Sequence, residues 1–300
     1  MYICCAQKRG PIAQLVERLI CNEEVRSSSL LGSTFVEFWH NMKTPTPFQD
    51  INEVLDFLVI ENKEIFGGKL TGIYLTGSLS YNDFEPQRSD IDLVVVIKHP
   101  ATEDEIDAID KCYQKMGGRF KKWQDRIECS YIPQELLKNN QLPELPRPYY
   151  GNGTFYRKAA YGNEWLINNY FLYNCGITLS GPDFKQLAGE VKINELKKAC
   201  IADLHKEWEP IISNPSFLDD SHRQSYVVLN LCRILHTVIA GAAVSKNIAA
   251  KWAGESFPQW RNLIDTANKW HYGEKMARHS EVTEFIKFSV EEITKTSRRI

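Results

Sequence analysis

LTGIYLTGSLSYNDFEPQRSDIDLVVV, residues 70–96, is the stretch on which the reading of this chain turns. Leu70–Thr76 is a short β-branched and aromatic run, the pattern of a buried strand, and it ends at Gly77. Gly77-Ser78 then opens a turn-rich segment, expected to contain a helical turn begun by Ser78. Asp90–Ile97 (DIDLVVVI) is a second strand. Asp90 and Asp92 stand two apart on it, so both carboxylates project from one face. Ile91, Leu93 and Val95 supply core from the other.

Each part has a chemical use. Glycine allows a ligand to approach backbone where a side chain would collide. A serine at a helix start offers its hydroxyl and neighbouring N–H groups to a phosphate. Two carboxylates held close are costly unless a cation sits between them. Mg²⁺ prefers such hard oxygens together with water and substrate phosphate, and a pair of such ions can activate an attacking oxygen and stabilise departing pyrophosphate. An isolated Asp-x-Asp is common on surfaces and Gly-Ser is commoner still. Strand, Gly-Ser, turn and Asp-x-Asp in that order is far more specific. A third strand, Arg126–Ile132 (RIECSYI), sets Glu128 opposite Ile127, Cys129 and Tyr131. Beside Asp90–Ile97 it would complete a carboxylate triad as general base. A solvated glutamate on a half-buried strand has the same alternation.

Around this core, Phe48–Glu64 carries apolar residues at 51, 54, 55, 58 and 59, a helical stripe. Thr102-x-x-Glu105 is a capping box opening a helix over Thr102–Met116, which Gly117-Gly118 is expected to close. Pro133–Gly153, rich in proline, asparagine and glycine, reads as an irregular connection. Asn163–Asn174 reads as a helix and Gly176–Leu179 as a short strand before the Ser180-Gly181-Pro182 turn. From about Glu190 the pattern is helical throughout, over 190–212, 220–240, 245–254, 257–270 and 280–297. The fold class expected is α+β: a mixed sheet with helices over 42–180, followed by an all-α bundle over 181–300.

The 300 residues carry a net charge of −2, so no global basic field draws the chain to nucleic acid or an anionic membrane. No apolar run is long enough to span a bilayer. Eight cysteines without CxxC spacing read as reduced thiols, without a zinc site, in the cytoplasm. Residues 1–41 stand apart. GPIAQLVERLICNEEVRSSSLLGST resembles a bacterial tRNA gene translated in frame, and Met42 offers an alternative start. Glu17, Arg18, Glu23 and Glu24 interrupt any apolar core that a signal peptide would need. A short amphipathic helix over Ile12–Ile20 is the other reading.

The motif strand–Gly-Ser–turn–SDIDLVVV resembles the nucleotidyltransferases of the DNA-polymerase-β type. GSLSYNDFEPQRSDIDLVVVI is more closely similar to the aminoglycoside adenylyltransferases that modify streptomycin and spectinomycin, as are GITLSGPDF and SYVVLNLCRILHTVIAGAAVSKNIAAKWAGESFPQW further on. The likeness runs from about Leu70 to about Phe288. It implies transfer of AMP from ATP to a small-molecule hydroxyl, with Mg²⁺ on Asp90 and Asp92 and Glu128 as base. It also implies nucleotide contacts from Gly77, Ser78, Arg233 and Lys246. From the residues alone, Lys246 fits a solvated helix start after Ser245, and Arg233 fits a salt bridge between helices. The chain departs from the family pattern twice: one additional residue lies between Ser78 and Asp90, and Ser221–Ser225 (SHRQS) lacks the acidic residues often found there. Asp219 and Asp220, just upstream, could substitute for them or cap the helix. Arg119, Lys121, Lys122 and Arg126 form a basic cluster that fits either a phosphate contact or a solvated loop.

Overall fold

The computed structural model describes residues 44–139, 141–162 and 164–297; the readings made for residues 1–41 lie outside them. Six strands form one sheet: β1 (Leu70–Thr76), β2 (Ile91–Ile97), β3 (Ile127–Pro133), β4 (Arg147–Gly151), β5 (Thr154–Ala159) and β6 (Ile177–Ser180). Their order is β5-β4-β3-β2-β1-β6. Only β2 and β3 run parallel, joined by helix α3 (Glu103–Arg119) as a crossover; the other pairs are antiparallel. The sheet is mixed, as expected.

Helix α1 (Gln49–Phe66) begins after a local clasp in which Asn52 Oδ1 accepts from the Thr46 amide at 3.1 Å. A single helical turn, α2 (Gly77–Ser80), follows β1. The capping box of α3 forms as read, with the Glu105 amide donating to Thr102 Oγ1 at 3.3 Å and the Thr102 amide to Glu105 Oε2 at 2.7 Å. Gly117-Gly118 does not end it. The helix runs on to Arg119, whose guanidinium lies 5.8 Å from the Phe57 ring and 4.9 Å from Phe120, so packing of the last turn outweighs the weak propensity of two glycines.

Pro133–Gly153 also differs from its reading as irregular chain. It holds a short 3₁₀ helix and β4, which turns back into β5 through Asn152-Gly153. Both turn residues have positive φ, +50° and +71°, the geometry of a two-residue hairpin that Asn-Gly favours.

One face of the sheet packs under α1 and α3: Phe66 lies 5.9 Å from the Tyr131 ring, and Tyr113 stacks on Tyr150 at 3.8 Å. On the other face Tyr74, Val94, Val96 and Ile132 pack against Trp165 and Leu172 of α4 (Glu164–Cys175) and against Phe184. Both faces of β2 are therefore dry beyond its first residues, and Asp90 and Asp92 occupy the open end of the strand.

After β6 no strand occurs among the described residues. Helices α5 (Ile193–Asp203), α6 (Ser221–Leu235), α7 (Lys246–Ser256), α8 (Arg261–Lys269) and α9 (His279–Ser297) share a second core. Helix α6 runs through its middle, with Val227, Val228, Leu231, Cys232 and Leu235 fully buried. Two π turns, Leu204–Trp208 and His236–Ala240, extend α5 and α6; the second ends at Gly241, φ +79°. No described helix is long and apolar enough to cross a membrane. Cys112, Cys129, Cys200 and Cys232 are free and buried. Because α6 touches every part of this core, Leu231→Ala is expected to lower stability by about 3 kcal/mol in urea titrations; a loss under about 1 kcal/mol would contradict this packing.

Candidate functional site

The site begins where β1 leaves the sheet. Thr76 lies opposite Asp92 in the β1–β2 register, and Gly77 follows with φ +65°. A Cβ at Gly77 would fall onto the Asp92 carboxylate, 2.6 Å from its Cγ. Glycine is thus required twice over, for its backbone angle and for the approach of an acid. Ser78 lies within the helical turn, which Thr76 precedes, so the turn opens one residue earlier than the sequence suggests. The Ser78 carbonyl accepts from the Asp83 amide at 2.9 Å.

The parallel register of β2 and β3 puts Asp92 directly beside Glu128, with Asp90 two residues before Asp92 on the same side. The triad anticipated from strand alternation therefore assembles. Burial pushes all three carboxyl groups above their ordinary range. Glu128 and Asp90 raise Asp92 further, and Asp90 raises Glu128.

Two cations from the helical region oppose them. Lys246, at the first position of α7 behind its Ser245 cap, acts on Asp90, Asp92 and Glu128, and its Nζ stands 4.9 Å from the Tyr226 ring. Burial, then neighbouring Arg233, pushes Lys246 below the usual lysine range. Arg233, on α6, lies 4.8 Å from the Phe171 ring and bears on Asp92. Neither residue takes the bland role open to it: among the described residues Arg233 forms no salt bridge, and Lys246 is half-buried beside the acids. The structure brings Gly77, Ser78, Asp90, Asp92, Glu128, Arg233 and Lys246 to one place.

Other members had no clear signal in the sequence. Arg126 belongs to the site: its Nε lies 3.7 Å from Asp90 Oδ1 and its guanidinium donates to the Pro86 carbonyl at 2.8 Å and to that of Ser89. It sits between Trp123 and Tyr272, at 4.8 and 6.0 Å. Tyr149, on β4, neighbours Glu128: burial, then the Glu128 charge, pushes its hydroxyl well above the usual tyrosine range. Arg147 anchors that strand, donating to Ser130 Oγ at 3.1 Å and the Ala160 carbonyl at 2.7 Å. Asn152-Gly153, the hairpin dipeptide, was the signal available for β4. His222 of the SHRQS stretch groups with Tyr272, Trp270 and Tyr226, ring centres 5.1–5.9 Å apart. Asp220 is a helix cap, accepting from the Arg223 amide at 2.9 Å, and Asp219 lies 3.8 Å from His279.

Asp90 Oδ1 is buried without a hydrogen-bond partner, the condition of an oxygen that lacks its ligand. Among the described residues no three acidic, histidine or cysteine side chains close a metal cage by themselves. A divalent cation would fit on Asp90 and Asp92 if phosphate oxygens and water completed its shell, the arrangement Mg²⁺ favours.

A carboxyl whose folded-state pKa lies above its unfolded value costs stability when ionised. That cost is absent at low pH and grows as pH rises through the folded value. Asp92→Asn is therefore expected to raise the metal-free unfolding midpoint at pH 7 by about 3 °C. The advantage should shrink as pH falls. Equal midpoints at pH 7 would contradict the repulsion.

The chain is matched by two family models, a nucleotidyltransferase domain over residues 56–144 and the C-terminal domain of aminoglycoside adenylyltransferase over 186–295. It is 27% identical over 266 residues to the spectinomycin 9-adenylyltransferase of Campylobacter jejuni, covering 83% of this chain and 97% of that one. The enzyme of the same name from Staphylococcus aureus N315 is 25% identical over 223 residues, covering 71% and 82%. The fold is also that of a spectinomycin adenyltransferase from Enterococcus faecalis solved with ATP and spectinomycin, with a TM-score of 0.66 at 21% identity over 81% of this chain and 98% of that one. With a sheet that presents the acidic cluster and a helical region that answers it with cations, the chain belongs to the aminoglycoside adenylyltransferases of the nucleotidyltransferase superfamily.

Proposed function

We propose that the protein transfers AMP from ATP to a hydroxyl of an aminoglycoside-type antibiotic of the spectinomycin and streptomycin class, releasing pyrophosphate. The observation that carries this is the register of Asp92 beside Glu128 with Lys246 and Arg233 facing them. On this reading Glu128 is the base, Asp90 and Asp92 the cation-binding pair, and Lys246 and Arg233 the phosphate-neutralising side chains.

Glu128 takes the proton of the acceptor hydroxyl, with Tyr149 as its neighbour on β4. The freed oxygen forms a bond to the α-phosphorus as the bond to the bridging oxygen of pyrophosphate breaks. Lys246 and Arg233 neutralise the charge gathering on the leaving group. Gly77 and Ser78 would bind the phosphates through backbone and hydroxyl. Mg²⁺ held by Asp90 and Asp92 would supply the remaining positive charge on the phosphate oxygens. On this reading residues 42–180 form the nucleotide domain and 181–300 the domain completing the cleft, with the reaction in the cytoplasm, where ATP and reduced thiols coexist. No nucleic acid or membrane takes part.

The SHRQS stretch and the capping role of Asp220 leave few carboxylates for a highly cationic drug. This favours spectinomycin, the acceptor named for the relatives, over the more basic streptomycin. Other small hydroxyl metabolites or a protein side chain use the same chemistry. A non-catalytic nucleotide-binding regulator would need no Glu128. Pyrophosphate release from Mg·ATP should be seen with spectinomycin, and silence across a panel of such antibiotics would favour another acceptor. Glu128→Gln is expected to lower turnover by about 10²–10⁴-fold while Mg·ATP still binds; retained turnover would remove Glu128 from this role.

A further inference from the structure

Between the Gly-Ser turn and the Asp-x-Asp strand, Tyr81–Ser89 folds into a compact loop. Asn82 takes a left-handed φ of +57°, which asparagine tolerates better than most residues. The amides of Arg88 and Ser89 donate to the Glu85 carbonyl at 3.0 and 2.8 Å, and the Glu85 amide donates to Ser89 Oγ at 2.9 Å.

Its side chains reach across to the helical region and meet on Asn247. Asn247 Nδ2 donates to Asp83 Oδ1 at 2.7 Å and to Glu85 Oε1 at 3.1 Å, while its Oδ1 accepts from Arg88 Nη2 at 3.0 Å. The Asn247 backbone amide points at Asp83 Oδ2 at 3.5 Å. Arg88, 12% exposed, also pairs with Glu85 at 2.9 Å and donates to the Asn268 carbonyl at the end of α8. Every polar atom of the Asn247 side chain is used. Hydrogen bonds to charged groups in such a half-buried setting are the strong ones.

The position of Asn247 gives the cluster its meaning. It is the residue after Lys246 in the first turn of α7, while the loop it grips ends at Ser89, immediately before Asp90. One cluster thus ties the backbone that carries the cation to the backbone that carries the acids. We propose that Asn247, gripped by Asp83, Glu85 and Arg88, is a positioning residue that holds Lys246 over the carboxylates in register for the nucleotide. The proposal rests on the reading of Lys246 as a nucleotide contact.

Calorimetric titration of Mg·ATP into the full chain tests it. Asn247→Ala is expected to weaken binding by about tenfold, the order expected for losing hydrogen bonds to charged groups. Asn247→Asp, which sets a third carboxylate against Asp83 and Glu85, should weaken it at least as much. Asp83→Asn combined with Asn247→Asp exchanges amide and acid and should recover part of the affinity, which a merely structural role would not do. Wild-type affinity in Asn247→Ala would overturn the latch and leave the nucleotide reading standing. Failure of the wild type to bind Mg·ATP would defeat the nucleotide reading instead. Amide hydrogen exchange without nucleotide then decides the latch: faster exchange at both 81–90 and 245–250 in Asn247→Ala supports it, and unchanged exchange at both overturns it.

Discussion

Mutual repulsion among Asp90, Asp92 and Glu128 is the constraint around which this protein is arranged. Three acids share one end of one sheet face and have lost much of their water, so their ionised forms are disfavoured. A core selected for stability would not hold them. They are tolerated because Lys246, Arg233 and Arg126 converge on the same point. On the proposed function, a cation and a phosphate chain brought by the substrate would relieve the remaining repulsion.

The fold serves this arrangement in a specific way. A parallel β2–β3 pair, made possible by the α3 crossover, brings Asp92 and Glu128 side by side although 36 positions separate them in sequence. The antiparallel β1 delivers Gly77 against Asp92, where no side chain fits. Arg126 stands just before β3. The other two cations come from α6 and the start of α7, and the loop between Gly77 and Asp90 reaches over to that helix start. Apolar packing joins sheet and helical region as well: α4 sets Trp165 and Leu172 against the sheet and Phe171 into the core of the helical region, where Tyr81 meets it at 5.5 Å.

Much of this was legible because the signals are local. Asp-x-Asp on an apolar strand, Glu128 in alternating RIECSYI, the capping box of α3 and the helical periodicity beyond 190 each announce themselves within a few residues. The partners that complete the site do not. Tyr149 and Arg147 sit on a strand whose proline-rich approach masks it, and only Asn152-Gly153 marks the hairpin. Arg126 fits either a phosphate contact or a solvated basic loop from sequence alone, and only the fold sets it beside Asp90. Gly117-Gly118 read as a helix stop because propensity is local, whereas the packing of Arg119 on Phe57 joins residues far apart in the chain. The roles of Arg233 and Lys246 came from family resemblance; their convergence on the acids is a tertiary fact that no spacing encodes.

The most direct test of the account is the unfolding midpoint of the metal-free protein titrated with Mg²⁺ in the presence of ATP, for the wild type and for Asp92→Asn. If the acids persist because a cation and a phosphate chain relieve their repulsion, the wild-type midpoint rises with added Mg²⁺ and ATP together. Asp92→Asn, already relieved and short of a ligand, gains much less. Equal gains in the two proteins would contradict the account, because the acidic cluster would then have no part in binding the metal–nucleotide pair.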